Sequence, residues 1–327
     1  MKAIVQSEYG SADVLRLEEL EKPVITDNEV LVRVRGAGVH AGDWHLMRGT
    51  PFLIRLVFGG ILKPKLKTIG TDIAGQVEAI GKDVTQFQPG EEVFGDLSSY
   101  GFGAFAEYIS VPEEALVSKP TNLSFEEAAT VPVSGLAALQ ALRDFGEIQP
   151  GQRVLINGAS GGVGSFAVQL AKGFGAKVTA VCSTKKMDMV KSLGADYVVD
   201  YTQTDPAKPT QPYDLIVDAA AYRPFSDFLD ALVPGGIYVL VGGAMPKFFK
   251  AMIFGSFVER SKPEGNRRKV KCLESKANQA DLTLLKDWIE AGKLKPFVDQ
   301  TYLLVEVPIA IRSLEARQVK GKVAISV

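Results

Sequence analysis

Four glycines set between a strand-like run and an apolar helix form the first stretch of this chain whose residues could do chemistry. Residues 152–175 open with Val154-Leu155-Ile156, too short for a helix and rich in branched residues, as a buried strand is. A turn of Gly158, Ser160, Gly161, Gly162, Val163 and Gly164 follows. Phe166 to Lys172 then carries apolar residues at helical spacing, and Gly173 and Gly175 close the helix. A pyrophosphate needs this order. Glycine lets the backbone approach its oxygens, and the helix N-terminus turns unpaired N–H groups and the positive end of its dipole toward the anion. The spacing Gly158-x-x-Gly161-x-x-Gly164 departs from the usual G-x-G-x-x-G. The strand before, the helix after and a second strand at 177–182 restore the dinucleotide reading over an ordinary βαβ turn.

The end of that second strand bears on which dinucleotide. An NAD site places an Asp or Glu about twenty residues past the glycines, on the ribose 2′-hydroxyl. Here the chain reads Cys182-Ser183-Thr184-Lys185-Lys186, with no acid. Hydroxyls and cations suit a 2′-phosphate, so Ser183, Thr184 and Lys186 predict NADPH, against the plainer alternative of a solvated helix start.

The remaining chemistry is narrow. There are two histidines, His40 and His45, and two cysteines, Cys182 and Cys272, which make neither a disulfide framework nor a Cys/His zinc cluster. With 327 residues and net charge −1, the chain has room for two cores and shows no nucleic-acid footprint. No leader-like segment opens it, and no apolar run approaches the roughly twenty residues of a membrane span. These features lead us to expect a soluble, cytoplasmic protein with no integral membrane segment and no nucleic-acid partner.

Two textures must position these residues. Residues 1 to about 120 read as short strands punctuated by Gly and Pro, including the period-two run Glu29 to Arg35, and fit a small barrel or rolled sheet. The apolar residues 51–60 interrupt that pattern. They read as a helix or loop over a hydrophobic cleft, with an interfacial membrane element as the alternative. From Ser124 onward helices and strands alternate, as in a parallel sheet: helix 164–173, strand 177–182, helix 185–193, strand 214–218, helix 224–232, strand 236–241. Residues 244–275 receive no assignment. Asp281 to Ala291 is an amphipathic helix, and the last thirty residues read as strand-like and mixed, rejoining the first domain.

Taken together, these pieces resemble the medium-chain dehydrogenase/reductase superfamily. The residues that carry the resemblance are Gly38-Val39-His40-Ala41-Gly42-Asp43, residues 70–77, 89–95 and 103–108, Pro132-Val133-Ser134-Gly135-Leu136, the glycine turn, Ser192 to Asp196 and Lys320 to Val323. Within the superfamily the chain is similar to the zinc-free quinone oxidoreductase branch, especially its plastid-envelope-type homologues. That resemblance implies an α/β protein: a Rossmann-type parallel-sheet domain at 124–275 and a GroES-like, partly closed barrel at 1–123, to which 276–327 returns.

The resemblance also implies roles. The acceptor would sit around His40, Asp43, His45 and the Tyr100 loop. His40 would donate a hydrogen bond to a carbonyl or a proton near neutral pH, or would be a structural histidine bonded to backbone. Asp43 would act on the acceptor or organise its loop, and His45 would have a supporting role. Tyr201 and Arg317 would approach the 2′-phosphate, and Ser134, Val241, Gly242 and Gly243 would line the cofactor. Where zinc relatives place a ligand Cys and a ligand His, this chain has His40 and Thr71, so no metal is expected. The expected activity is NADPH-dependent hydride transfer to a small hydrophobic quinone or α,β-unsaturated carbonyl, by a homodimer. An alcohol dehydrogenase with an atypical metal site and a non-enzymatic NADPH-binding protein remain alternatives. Phe52, Phe58, Phe248, Phe249, Phe254 and Phe257 point to a bulky acceptor, or to core or dimer contacts.

Overall fold

The structure is a computed structural model that describes residues 1–58, 60–242 and 267–327. Gly243, Phe248, Phe249, Phe254 and Phe257 lie outside the described residues, as does the side chain of Phe58. The chain divides into two units, 1–136 with 276–327, and 137–275.

The first unit is organised on one strand, Glu29–Val39. Its alternating residues bury Val30, Val32 and Val34, and the strand is long enough to serve three partners. One edge pairs antiparallel with Asp72–Ile80. The other edge is shared: Tyr108–Pro112 pairs with its first half and Lys322–Ser326 with its second. Register shifts between Leu31 and Val32 and between Val34 and Gly36 bend the strand, as bulges do. The sheet runs Val298–Leu303, Lys322–Ser326, Glu29–Val39, Asp72–Ile80, Glu92–Asp96, Leu116–Ser118. Phe105, Ile73, Val93, Leu116 and Ile311 fill its core.

Gly36 and Gly38 let the short helix Phe125–Ala129 lie directly on the strand backbone. A Cβ on Gly36 would stand 2.7 Å from the Phe125 carbonyl oxygen, and one on Gly38 would stand 2.4 Å from that of Ala129. This packing puts residues 124–136 in the first unit, although alternation of helices and strands begins at Ser124 in sequence. Helix Leu53–Phe58 occupies the apolar 51–60 stretch, and helix Val307–Glu315 lies in the last thirty residues, which read as mixed in sequence.

The second unit is a six-stranded parallel sheet in the order Tyr197–Asp200, Lys177–Cys182, Arg153–Asn157, Tyr213–Asp218, Leu232–Leu240, Lys269–Cys272. The order reverses beside Arg153–Asn157, the switch point at which open α/β sheets bind ligands. Strand Lys269–Cys272 closes one edge from a stretch left unassigned in sequence. The helix expected at 224–232 is confined to Ser226–Leu229, because Leu232 already pairs with Tyr213 in the sheet. No helix among the described residues is long and apolar enough to cross a membrane.

Gly38→Ala tests the close packing of helix on strand. The added methyl meets the Ala129 carbonyl and the Asp72 side chain, so about 1–3 kcal/mol of stability is expected to be lost, read as a lower urea midpoint.

Candidate active site

Strand register builds the first site. Val39 pairs with Val323, and Gly38 pairs with Asp72. His40, Asp72 and Lys322 therefore emerge together at neighbouring strand ends. His40 caps helix Ala41–Arg48: its Nδ1 accepts the Gly42 N–H at 2.9 Å, while its backbone N–H donates to Asp43 Oδ2 at 2.8 Å. An Nδ1 that accepts carries no proton in the neutral ring, so the proton sits on Nε2, which donates to Thr71 Oγ1. Both ring nitrogens are thus committed to the protein. Burial, with Lys322 nearby, holds the His40 pKa down to about 3. The expected proton donor near neutral pH is corrected accordingly: His40 is an uncharged imidazole that fixes Thr71 and the start of the helix.

Behind it lies a buried charge cluster that sequence reading did not assemble. Asp43, Asp72, Asp96 and Lys322 are all buried. Lys322 Nζ donates to Ser134 Oγ at 3.0 Å and to Asp72 Oδ2 at 3.4 Å. Asp72 Oδ1 accepts the Val133 N–H at 2.8 Å, and Asp96 Oδ1 accepts that of Ser98 at 2.8 Å. Asp43 Oδ1 is buried without a hydrogen-bond partner, 3.8 Å from His40 Nε2. Three carboxyls therefore share one cation. Burial drives the Asp43 pKa up to about 8 and that of Asp72 to about 7, and it also raises that of Asp96. Ser134, expected at the cofactor, is engaged by Lys322 in this cluster.

Tyr100 sits at the head of a glycine-rich turn in which Gly101, Phe102 and Gly103 adopt left-handed φ of 107°, 66° and 111°. Its ring packs on the core of the first unit, and its hydroxyl makes no hydrogen bond among the described residues. Burial raises its pKa, so the group stays a neutral O–H donor. His45 stacks on Trp44 at 3.7 Å and donates from Nδ1 to the Thr50 carbonyl at 2.9 Å, a structural engagement. A small apolar cavity, lined by residues including Gln6, Tyr9, Leu46 and Ile54, lies in the same unit without His40 in its wall.

In the second unit the glycine turn has the form a pyrophosphate requires. Gly158 has φ 81°, and Gly161 caps helix Gly162–Gly173 with no side chain in the way. A Cβ on Gly164 would stand 2.1 Å from the Gly158 carbonyl oxygen, so the turn tolerates only glycine there. Ser160 is buried in this turn, which also contains Val163.

Asp218, which sequence reading missed, fixes the opposite wall. It accepts from Asn157 Nδ2 at 2.8 Å, from the N–H groups of Ala220 and Ala221 at 3.0 and 2.7 Å, and from the Tyr238 hydroxyl at 2.6 Å. A methyl on Gly158 would meet Ala220 at 2.9 Å, so this network sets the width of the turn. Val241 donates its N–H to the Asp218 carbonyl at 3.0 Å, which ties it and the following Gly242 to the same strand ends. The available signal was a polar residue closing each of the buried runs 154–157 and 215–218.

Ser183, Thr184 and Lys186 stand at the end of strand Lys177–Cys182, beside Tyr201, whose N–H donates to the Cys182 carbonyl at 3.1 Å. Thr184 is partly committed. Its hydroxyl donates to Asp200, which also accepts from Thr202 N and Oγ1 at 2.9 and 2.7 Å. These bonds hold the Asp200 carboxyl below its ordinary range. Arg317 lies in the other unit, at φ 58° in the turn closing helix Val307–Glu315.

Two family profiles match the chain: the Alcohol dehydrogenase GroES-like domain over residues 26–121 and the Zinc-binding dehydrogenase over 193–325. The trans-enoyl reductase pgmF of Aspergillus terreus is 34% identical, over 92% of this chain and 86% of its own. The chloroplastic quinone-oxidoreductase homolog of Spinacia oleracea is 39% identical, over 72% and 73%. The solved quinone oxidoreductase of Coxiella burnetii superposes with a TM-score of 0.86 at 28% identity, over 100% and 99%. The second profile is named for zinc binding. A catalytic zinc takes three protein ligands, whereas both His40 nitrogens are engaged and its neighbour is Thr71. No group of three or more His, Cys, Asp or Glu among the described residues is placed to hold a metal.

The buried cluster predicts a pH signature. Asp43 and Asp72 bind protons more tightly folded than unfolded. Their contribution is complete below the ordinary carboxyl value of 3.8 and is lost as pH rises through about 7 and about 8. His40 runs oppositely, complete above 6.5 and lost on acidification toward about 3. Of these groups, only the carboxyls still titrate above pH 6.5. Thermal melts should therefore show stability falling from there to about pH 8, and Asp43→Asn should flatten that fall.

Proposed function

The chain belongs to the zinc-free quinone oxidoreductase branch of the medium-chain dehydrogenase/reductase superfamily, and on that footing we propose an NADPH-dependent reductase of quinones or α,β-unsaturated carbonyls. That the protein is an oxidoreductase using a nicotinamide cofactor follows from the family. The acceptor class and the preference for NADPH are our reading. The observation that carries the cofactor preference is the end of strand Lys177–Cys182, where Ser183 and Lys186 stand and no acid follows the glycine turn. The names of the relatives, a trans-enoyl reductase and a quinone-oxidoreductase homolog, support electrophilic acceptors.

When bound, a reduced nicotinamide supplies the hydride. The N–H groups of Gly162 and Val163 would hold the pyrophosphate, with Ser160 beside them, and Val241 and Gly242 would line the ring. Ser183, Lys186 and Tyr201 would take the 2′-phosphate. Thr184 serves mainly to anchor the turn through Asp200, and Arg317 remains part of the proposal. Quinones and enones become anionic at oxygen on reduction, so a neutral donor can stabilise the charge without a Lewis acid. Tyr100 is the group we assign to that task. Thr71 is held in place by His40, and Asp43 carries a proton at neutral pH. The same reading takes the protein as a cytoplasmic homodimer.

The test is NADPH oxidation followed optically with phenanthrenequinone, benzoquinone and a medium-chain enone, against NADH. Turnover with NADPH well above NADH is expected. Lys186→Ala should raise the NADPH KM about tenfold and leave that for NADH unchanged. Gly164→Ala should weaken binding of both cofactors, read by fluorescence titration. Tyr100→Phe should lower kcat by about tenfold to a hundredfold. Cofactor binding without turnover on any acceptor would overturn the reading.

A further inference from the structure

From Trp44 to Thr71 the chain has no acidic residue and five cations, Arg48, Arg55, Lys63, Lys65 and Lys67, in a protein whose net charge is −1. Arg48 is paired with Glu315. Lys63, Lys65 and Lys67 are exposed, and none has an ion-pair partner among the described residues.

Large apolar side chains share this stretch and are exposed with them. Phe52, Leu53, Leu56 and Ile61 are about half exposed, and Leu62 is 87% exposed. The stretch is held compactly. Arg55 Nε donates to the Gly49 carbonyl at 2.9 Å, and its guanidinium lies 4.5 Å from the Tyr9 ring and 5.8 Å from that of Phe52. Tyr9 donates its hydroxyl to the Gly60 carbonyl at 3.0 Å. Ile61 and Leu62 immediately precede Lys63, so exposed apolar and cationic residues follow one another directly in the chain.

Exposed apolar side chains followed in the chain by unpaired cations of one sign match one surface better than others. The water-facing boundary of a bilayer containing anionic lipid accepts apolar side chains into its acyl edge and cations at its phosphates. A second copy is disfavoured, because a self-complementary contact would bring the three unpaired lysines against their own kind. We propose that Phe52, Leu53, Leu56 and Leu62, with Lys63, Lys65 and Lys67, form a peripheral docking surface for anionic phospholipid membranes. The apolar side chains enter the headgroup boundary and the lysines contact lipid phosphates. The inference stands apart from the reductase reading, since it uses none of the proposed catalytic or cofactor residues.

The experiment is flotation of the full chain with vesicles of phosphatidylcholine alone and of phosphatidylcholine mixed with phosphatidylglycerol, at low and high salt. Wild type should float only with the anionic vesicles, and less so at high salt. The triple variant Lys63→Gln, Lys65→Gln, Lys67→Gln should weaken partitioning on the order of a hundredfold, and Leu56→Asn with Leu62→Asn should weaken it as well. Both variants should melt as wild type does, since the altered side chains are exposed. Absence of wild-type flotation, or flotation unchanged in both variants, would overturn the proposal. So would a dimer in lipid-free sedimentation equilibrium that the leucine variant dissociates, with no vesicle binding; the patch would then be a contact between copies.

Discussion

Lys322 is the charge on which the first unit turns. Among the described residues it is the single cation set among Asp43, Asp72 and Asp96, and it lies at the start of the strand that closes the sheet on Glu29–Val39. A buried ammonium is costly unless it is paired and hydrogen-bonded. Here Asp72 and Ser134 supply the partners, while the Val133 N–H binds the other oxygen of Asp72. The carboxyls that Lys322 cannot neutralise hold protons instead, and this keeps Asp43 uncharged beside His40 at neutral pH. The sheet register thus brings Lys322 to Asp72, and that buried pair bears on the protonation of the carboxyls around it.

In the second unit a buried carboxyl is met by neutral donors. Asp218 lies fully buried and accepts from four donors, two of them backbone N–H groups of the loop that faces Gly158. A carboxylate satisfied by fixed dipoles is rigid, because each donor is set by its own strand or turn. The loop is therefore held at one distance from the glycines. A cofactor bound there, as proposed above, would meet a cradle already formed, so little ordering would be needed on binding.

What could be read in sequence was whatever depends on near neighbours. The strand–turn–helix at 153–173 declares itself because its glycines, branched residues and helical spacing are contiguous. The strand-rich first unit and the alternating second were legible for the same reason. Helix Val307–Glu315 was obscured by its branched residues, which suit strands as well. The state of His40 was not legible, because it depends on Thr71 and Lys322, 31 and 282 positions away. Asp218 and Asp43 looked like ordinary acids until their surroundings were assembled. The commitment of Thr184 to Asp200 joins the ends of two adjacent parallel strands, a pairing no local pattern records.

The long strand Glu29–Val39 also has a temporal consequence. Half of one edge receives Lys322–Ser326, a segment separated from it by the whole of 137–275. During synthesis on the ribosome, the second unit emerges complete while the first still lacks this partner. Its nascent sheet then carries an unpaired edge at Gly36–Val39, and Asp72 waits without its lysine. Pairings of such sequence separation form late and slowly. The first unit is therefore the one exposed to chaperones and to wrong strand partners until the last segment docks.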